Sequence, residues 1–181
     1  MHYTLADMIG DLAQNAAESG ASVIDVTVDE SGGTLSFEIR DNGKGMDSQT
    51  LERAKDPFYT DGVKHPSRKV GLGIPFLIQT ATETGGSWTL SSIKGQGTVV
   101  GGVFNTSNID TPPVGDIPGL FRQMLSQTGS FEMTITRKRT GPNPADYRIV
   151  RSELADALGD LETVDSLSLL GHYLAGLEEP E

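Results

Sequence analysis

The feature that most constrains this chain is a set of four short polar, glycine-containing or amide-containing blocks in its first hundred residues. In order they are Asp11-Leu12-Ala13-Gln14-Asn15, Asp41-Asn42-Gly43-Lys44-Gly45-Met46, Gly71-Leu72-Gly73 and Gly95-Gln96-Gly97-Thr98. Each block alone is common in proteins. Their order and spacing are informative, because each block suits a different part of one ligand.

Hydrophobic periodicity predicts an α+β fold. Residues 4–19 form a predicted helix, because Leu5, Ile9, Leu12 and Ala16 recur on one stripe. Alternating apolar residues predict strands at 24–28, 35–39, 88–93 and 98–104, with a hairpin turn at Ser31-Gly32-Gly33. Shorter helices are expected at 48–54 and 75–84. Beyond residue 116 the pattern predicts a helix at 117–127, strands near 131–135 and 147–149, and two acidic helices.

A change of composition divides the chain into three predicted parts. Residues 1–106 form a first domain, 107–118 a proline-containing linker, and 119–181 a C-terminal α/β extension expected to pack on that domain. The last helix carries Leu167, Leu170, Leu174 and Leu177 on one side. This face either packs within the chain or forms a dimer, and we favour the first, because the extension has few elements for a core of its own. The oligomeric state stays open.

Composition excludes several classes of partner. The net charge is −11 and the pI near 4.6, so binding to nucleic acid is not expected. No apolar run approaches the roughly 18 residues of a membrane helix, and the N-terminus lacks the pattern of a signal peptide. The chain contains no cysteine. We therefore predict a cytoplasmic protein without a membrane partner.

The first block places two polar side chains on one helical face. Asp11 and Asn15 are four residues apart and lie away from the apolar stripe. An amide oxygen is a suitable ligand for Mg²⁺, which also binds substrate phosphates. A carboxylate one turn earlier could deprotonate an attacking water. The alternative is that both are ordinary exposed residues.

The second and fourth blocks suit recognition of a base. Asp41 can accept a hydrogen bond from an exocyclic amino group such as that of adenine. Gly43 and Gly45 would let the backbone approach a flat ring, although such a sequence is also a common turn. The Thr98 hydroxyl could share a water with Asp41, but threonine is also a favoured strand residue.

The third block suits phosphate. Gly71 and Gly73 lie where a helix begins, and free N–H groups and the positive end of the helix dipole attract anions there. The alternative is a structural loop. Lys64, Arg68 and Lys69 precede it, and their loop could close over a triphosphate as a lid.

Taken together, the blocks resemble the nucleotide-binding motifs of the GHKL superfamily, which includes DNA gyrase, large heat-shock chaperones, histidine kinases and mismatch-repair ATPases. The resemblance covers about residues 4–105 and is closest to the histidine-kinase-like catalytic domain, as a short stand-alone protein. It implies the Bergerat fold, a two-layer α/β sandwich with a mixed sheet and helices on one face. It also implies Mg-ATP as the ligand.

The resemblance assigns a role to each matched residue. Asp11 is the implied catalytic residue and Asn15 the implied Mg²⁺ ligand. The implied ATP-binding residues are Asn15, Asp41, Gly43, Gly45, Met46, Lys69, Gly71, Leu72, Gly73 and Thr98.

Three departures from the family pattern affect the expected activity. Asp11 stands where ATP-hydrolysing members have glutamate and is shorter by about 1.5 Å. Lys69 occupies the usual place of a glycine. No helix with a phosphorylatable histidine precedes the first block, so self-phosphorylation is not expected.

The leading hypothesis is an Mg-ATP-binding protein that acts as a slow ATPase or an ATP-dependent regulatory switch. One alternative is a protein serine kinase of the anti-sigma type, acting in trans. Another is a nucleotide-gated binding module without turnover. ATP and ADP are the expected ligands, and a protein partner could bind through the C-terminal extension. The sequence leaves open whether the protein is an enzyme.

Overall fold

The computed structural model describes residues 3–56 and 73–179. These residues form six strands and six helices. In chain order they are α1 Leu5–Glu18, β1 Val23–Ser31, β2 Thr34–Asp41, α2 Ser48–Ala54, α3 Gly73–Thr84, β3 Ser87–Ile93, β4 Gly97–Asn105, α4 Ile117–Leu125, β5 Glu132–Arg139, β6 Ala145–Val150, α5 Arg151–Leu158 and α6 Val164–Glu178.

All six strands of the described residues belong to one mixed sheet, in the order β3-β4-β2-β1-β5-β6. Neighbouring strands are antiparallel except β1 and β5, which run parallel from Val23 opposite Glu132 to Glu30 opposite Arg139. The C-terminal strands therefore extend the sheet that the first hundred residues begin.

Helices α1, α3, α5 and α6 contact this sheet, and the predicted α+β fold class is confirmed. On β1, Ile24, Val26 and Val28 are buried, whereas Asp25 and Thr27 between them are exposed. The predicted stripe of α1 packs on this buried face, since Leu5, Ile9, Leu12 and Ala16 all belong to the core. Alternation with a period of two explains why one face is apolar and the other polar.

Two sets of hydrogen bonds fix the N-terminus of α1, the helix that carries the first block. Thr4 caps its N-terminus in a capping box with Asp7, and each side chain accepts a hydrogen bond from the other's backbone N–H. The segment predicted as a linker also contacts this helix, because the N–H groups of Leu5 and Ala6 donate to the carbonyls of Pro113 and Val114. The first turn of α1 is thus held from both sides.

The last helix packs within the chain. Leu170 and Leu174 are fully buried, and Leu167 and Leu177 are partly buried. The helix contacts α4, α5 and β6. Along residues 3–56 and 73–179, no helix combines the length and the apolar character that crossing a bilayer requires.

Candidate nucleotide-binding site

The first block lies where α1 meets the beginning of α3. Asp11 is half-buried and Asn15 is exposed, on the side of α1 that does not face the sheet. Gly73, the first residue of α3, packs closely on α1: a Cβ there would lie 3.3 Å from the Cβ of Asp11 and 3.1 Å from Cδ2 of Leu12. The N-terminal end of α3, where N–H groups lack helical partners, is therefore beside Asp11.

Asp11 has a partner that the sequence did not predict. The hydroxyl of Tyr3 donates a hydrogen bond to Oδ2 of Asp11 at 2.5 Å. The Tyr3 ring contacts Phe76 of α3 edge to face, with centroids 4.3 Å apart. Burial, the hydrogen bond to Asp11 and the negative charges of Asp11 and Asp7 raise the pKa of Tyr3 well above its ordinary value. Tyr3 precedes the helix cap, so helical periodicity carried no signal for this contact.

The buried end of β2 carries Asp41. Its Oδ1 accepts a hydrogen bond from the N–H of Gly43 at 2.8 Å and lies 3.2 Å from the hydroxyl of Ser19. Within residues 3–56 and 73–179, no hydrogen bond reaches Oδ2. One carboxylate oxygen is thus fixed by the loop, and the other is available to a donor.

A row of hydroxyl groups continues from Asp41 across the sheet. Thr98 of β4 lies opposite Asp41 in register, and Ser92 of β3 lies opposite Thr98. The two hydroxyl oxygens are 2.8 Å apart, and Ser92 Oγ also accepts a hydrogen bond from the N–H of Met46 at 2.8 Å. The structure therefore brings Asp41, Met46 and Thr98 together. Ser92 was missed because serine alternating in a strand is not distinctive.

The glycines of the second block are required by the protein's own packing, a reason that the sequence did not reveal. A Cβ at Gly43 would overlap the Ser19 side chain, and a Cβ at Gly45 would overlap the carbonyl of Ile93. Gly45 also has a φ of +56°, which disfavours other residues. These glycines let the loop fit between α1 and the β3–β4 turn, and their approach to the ring of a base stays a prediction.

The amide oxygen of Asn15 on α1 is a suitable ligand for a magnesium ion whose other ligands are phosphate and water oxygens. Asn15 is exposed, and no hydrogen bond within the described ranges involves its amide. These ranges contain no group of three or more histidine, aspartate or glutamate side chains that could hold a metal ion. Lys69, Gly71 and Leu72, with the predicted lid, lie outside the described residues.

Comparison with known proteins identifies the family. Residues 3–105 match the family described as "Histidine kinase-, DNA gyrase B-, and HSP90-like ATPase". The chain belongs to this family, and the resemblance inferred from the four blocks is confirmed. Membership implies ATP binding.

Two curated relatives are sensor kinases. The signal transduction histidine-protein kinase AfsQ2 of Streptomyces coelicolor is 31% identical over 96 residues, covering 52% of this chain and 17% of AfsQ2. The sensor histidine kinase ZraS of Escherichia coli O157:H7 is 31% identical over 75 residues, covering 41% of this chain and 16% of ZraS. The chain thus spans about one sixth of the length of either relative.

Among solved structures, the nucleotide-free catalytic domain of the histidine kinase ThkA is similar. It is 20% identical, with a TM-score of 0.41, over 55% of this chain and 64% of that domain.

Proposed function

We propose that this chain binds Mg-ATP between α1, the loop after Asp41 and the N-terminus of α3, and that it acts as an ATP-dependent regulatory switch with slow turnover. The observation that carries the proposal is the hydrogen bonding of the Asp41 carboxylate. This carboxylate is buried, is held through Oδ1, and leaves Oδ2 to accept a hydrogen bond. The free oxygen of this carboxylate can accept a hydrogen bond from the exocyclic amino group of adenine.

The base therefore binds at the end of β2 in this proposal. Asp41 accepts the exocyclic N–H of adenine, while the Thr98 hydroxyl binds a water shared with Asp41 and the base. Gly43, Gly45 and Met46 form the loop beside it. Guanine carries a carbonyl where adenine carries the amino group, so it would place an acceptor against the Asp41 carboxylate. This difference predicts a preference for ATP over GTP.

The phosphates lie, in the same proposal, between α1 and the beginning of α3. Asn15 supplies an amide oxygen to Mg²⁺, and Gly73 contributes the helix N-terminus. Lys69, Gly71 and Leu72 remain predicted phosphate contacts. The closeness of Gly73 to Asp11 supports this arrangement, because it brings the helix N-terminus next to the candidate catalytic carboxylate.

Slow turnover follows from Asp11. In hydrolysis, a water oxygen attacks the γ-phosphorus, the bond to the bridging oxygen breaks, ADP leaves with the electron pair, and Asp11 takes the proton of the water. Asp11 is shorter than glutamate by about 1.5 Å, and Tyr3 already donates to one of its oxygens. ATP binding is thus better supported than rapid hydrolysis. This difference favours a switch that remains bound to ATP.

Incubation with ATP labelled at the γ-phosphate tests the proposed function. We expect slow release of phosphate that is lost in Asp11→Asn, with nucleotide affinity retained. Transfer of the label to a co-purified protein would instead identify the serine kinase acting in trans. Tight binding with neither product would identify the nucleotide-gated module. Failure to bind ATP would contradict all three.

A further inference from the structure

Tyr3 is held in place by two independent sets of contacts. Its backbone immediately precedes Thr4, which caps α1, and the first turn of α1 is hydrogen-bonded to Pro113 and Val114. Its ring is half-buried against Phe76 of α3. These contacts place the Tyr3 hydroxyl beside the Asp11 carboxylate.

The hydrogen bond between the Tyr3 hydroxyl and the Asp11 carboxylate is short. The distance of 2.5 Å between the Tyr3 hydroxyl oxygen and Oδ2 of Asp11 lies within the range of a hydroxyl–carboxylate hydrogen bond. The Tyr3 hydroxyl therefore occupies one of the two oxygens with which Asp11 could take the proton of a water.

We propose that Tyr3 is a positioning residue that restrains ATP hydrolysis by holding the Asp11 carboxylate. The inference rests on the proposed function, since it concerns the same nucleotide site. The Tyr3 hydroxyl occupies Oδ2 of Asp11, so this oxygen is not free to accept the proton of an attacking water. The restraint keeps the ATP-bound state long-lived, which a switch requires. Because the Tyr3 ring contacts Phe76, the restraint also depends on where the first turns of α3 lie.

An opposite role is the main alternative. In many active sites a third group orients the base and thereby activates it. Orientation by a basic or acceptor group strengthens a base, whereas Tyr3 donates its proton toward the carboxylate that must itself accept one. The direction of this hydrogen bond favours restraint.

Tyr3→Phe tests the proposal, because phenylalanine keeps the ring that packs on Phe76 and removes only the hydroxyl. We expect the single-turnover rate of hydrolysis at saturating Mg-ATP to rise about tenfold, a part of the 10²- to 10⁴-fold that general-base catalysis contributes. The dissociation constant of ATP, measured by calorimetry, should change by less than about twofold. Tyr173→Phe, at an exposed position on α6, is the matched control and should change neither quantity.

The double variant Tyr3→Phe/Asp11→Asn should hydrolyse ATP no faster than Asp11→Asn. The reason is that Tyr3 acts only through the Asp11 carboxylate, which Asp11→Asn removes. An unchanged or lower rate in Tyr3→Phe, with ATP affinity retained, would overturn the restraint and leave the proposed function standing. A rate that rises equally in the double variant would also overturn it. If calorimetry detects no ATP binding by the unmodified protein, the proposed function fails first, and the inference falls with it.

Discussion

The fully buried guanidinium of Arg137 in β5 donates a hydrogen bond from Nε to a carboxylate oxygen of Glu178, at the end of α6, over 3.0 Å. Arg137 also pairs with Glu30 of β1 at 2.7 Å. Glu178 accepts further hydrogen bonds from Arg139 and Tyr147. One carboxylate near the C-terminus therefore joins the last helix to the sheet.

Removing that carboxylate should destabilise the protein. In Glu178→Ala, Arg137 keeps only Glu30 as a charged partner in the described part of the chain. Breaking a buried ion pair by removing one partner costs about 3 kcal/mol or more, so we expect the free energy of unfolding in urea to fall by about that amount. Glu179→Ala, at the exposed neighbouring position, should alter it by less than about 0.5 kcal/mol. Equal effects of the two substitutions would contradict this view of the network.

Gly45→Ala should destabilise the loop beside Asp41. The substitution places a side chain at a φ of +56° and forces the carbonyl of Ile93 to move. Gly20→Ala is a matched control, because Gly20 has a φ of +78° and nothing within 4 Å of a Cβ. We expect a loss of about 1 kcal/mol for Gly20→Ala and at least about 1 kcal/mol more for Gly45→Ala, measured by thermal unfolding. Similar losses would mean that the close contact with Ile93 is unimportant.

Asp41→Asn should weaken ATP binding while the fold is kept. Asparagine retains an oxygen for the N–H of Gly43 but removes the charge that strengthens a hydrogen bond to adenine. We expect the dissociation constant to rise about tenfold, in line with about 1.4 kcal/mol for one hydrogen bond to a charged group. Asp25→Asn, on the exposed face of the neighbouring strand, provides the comparison. Comparable affinities in both variants would exclude Asp41 as the base-recognising residue.

Sequence patterns predicted the local elements well. The stripe of α1, the Ser31-Gly32-Gly33 turn and helix α2 at Ser48–Ala54 all appear in the structure. Each is specified by a period or a turn signal within a few residues. The order of the four blocks also identified the family, because those residues are defined by spacing along the chain.

Relationships between distant segments could not be predicted. Alternation in residues 131–135 indicates a strand, but it does not say that the strand pairs in parallel with β1. The Tyr3–Asp11 hydrogen bond and the Ser92–Thr98 contact likewise depend on how elements pack. Periodicity reports which face of an element is buried and not which neighbour covers it. The role of Gly43 needed the same information, since the atoms it avoids belong to Ser19.

The most direct test of the central claim is a calorimetric titration with ATP, ADP and GTP, with and without Mg²⁺, on the unmodified protein and on Asn15→Ala. We expect one ATP per chain, with affinity that depends on Mg²⁺ and exceeds that for GTP. In Asn15→Ala the Mg²⁺-dependent binding should be lost while the melting temperature is unchanged, because this exposed side chain supports no packing. Unchanged Mg²⁺-dependent affinity in Asn15→Ala, or no heat of ATP binding to the unmodified protein, would contradict the account.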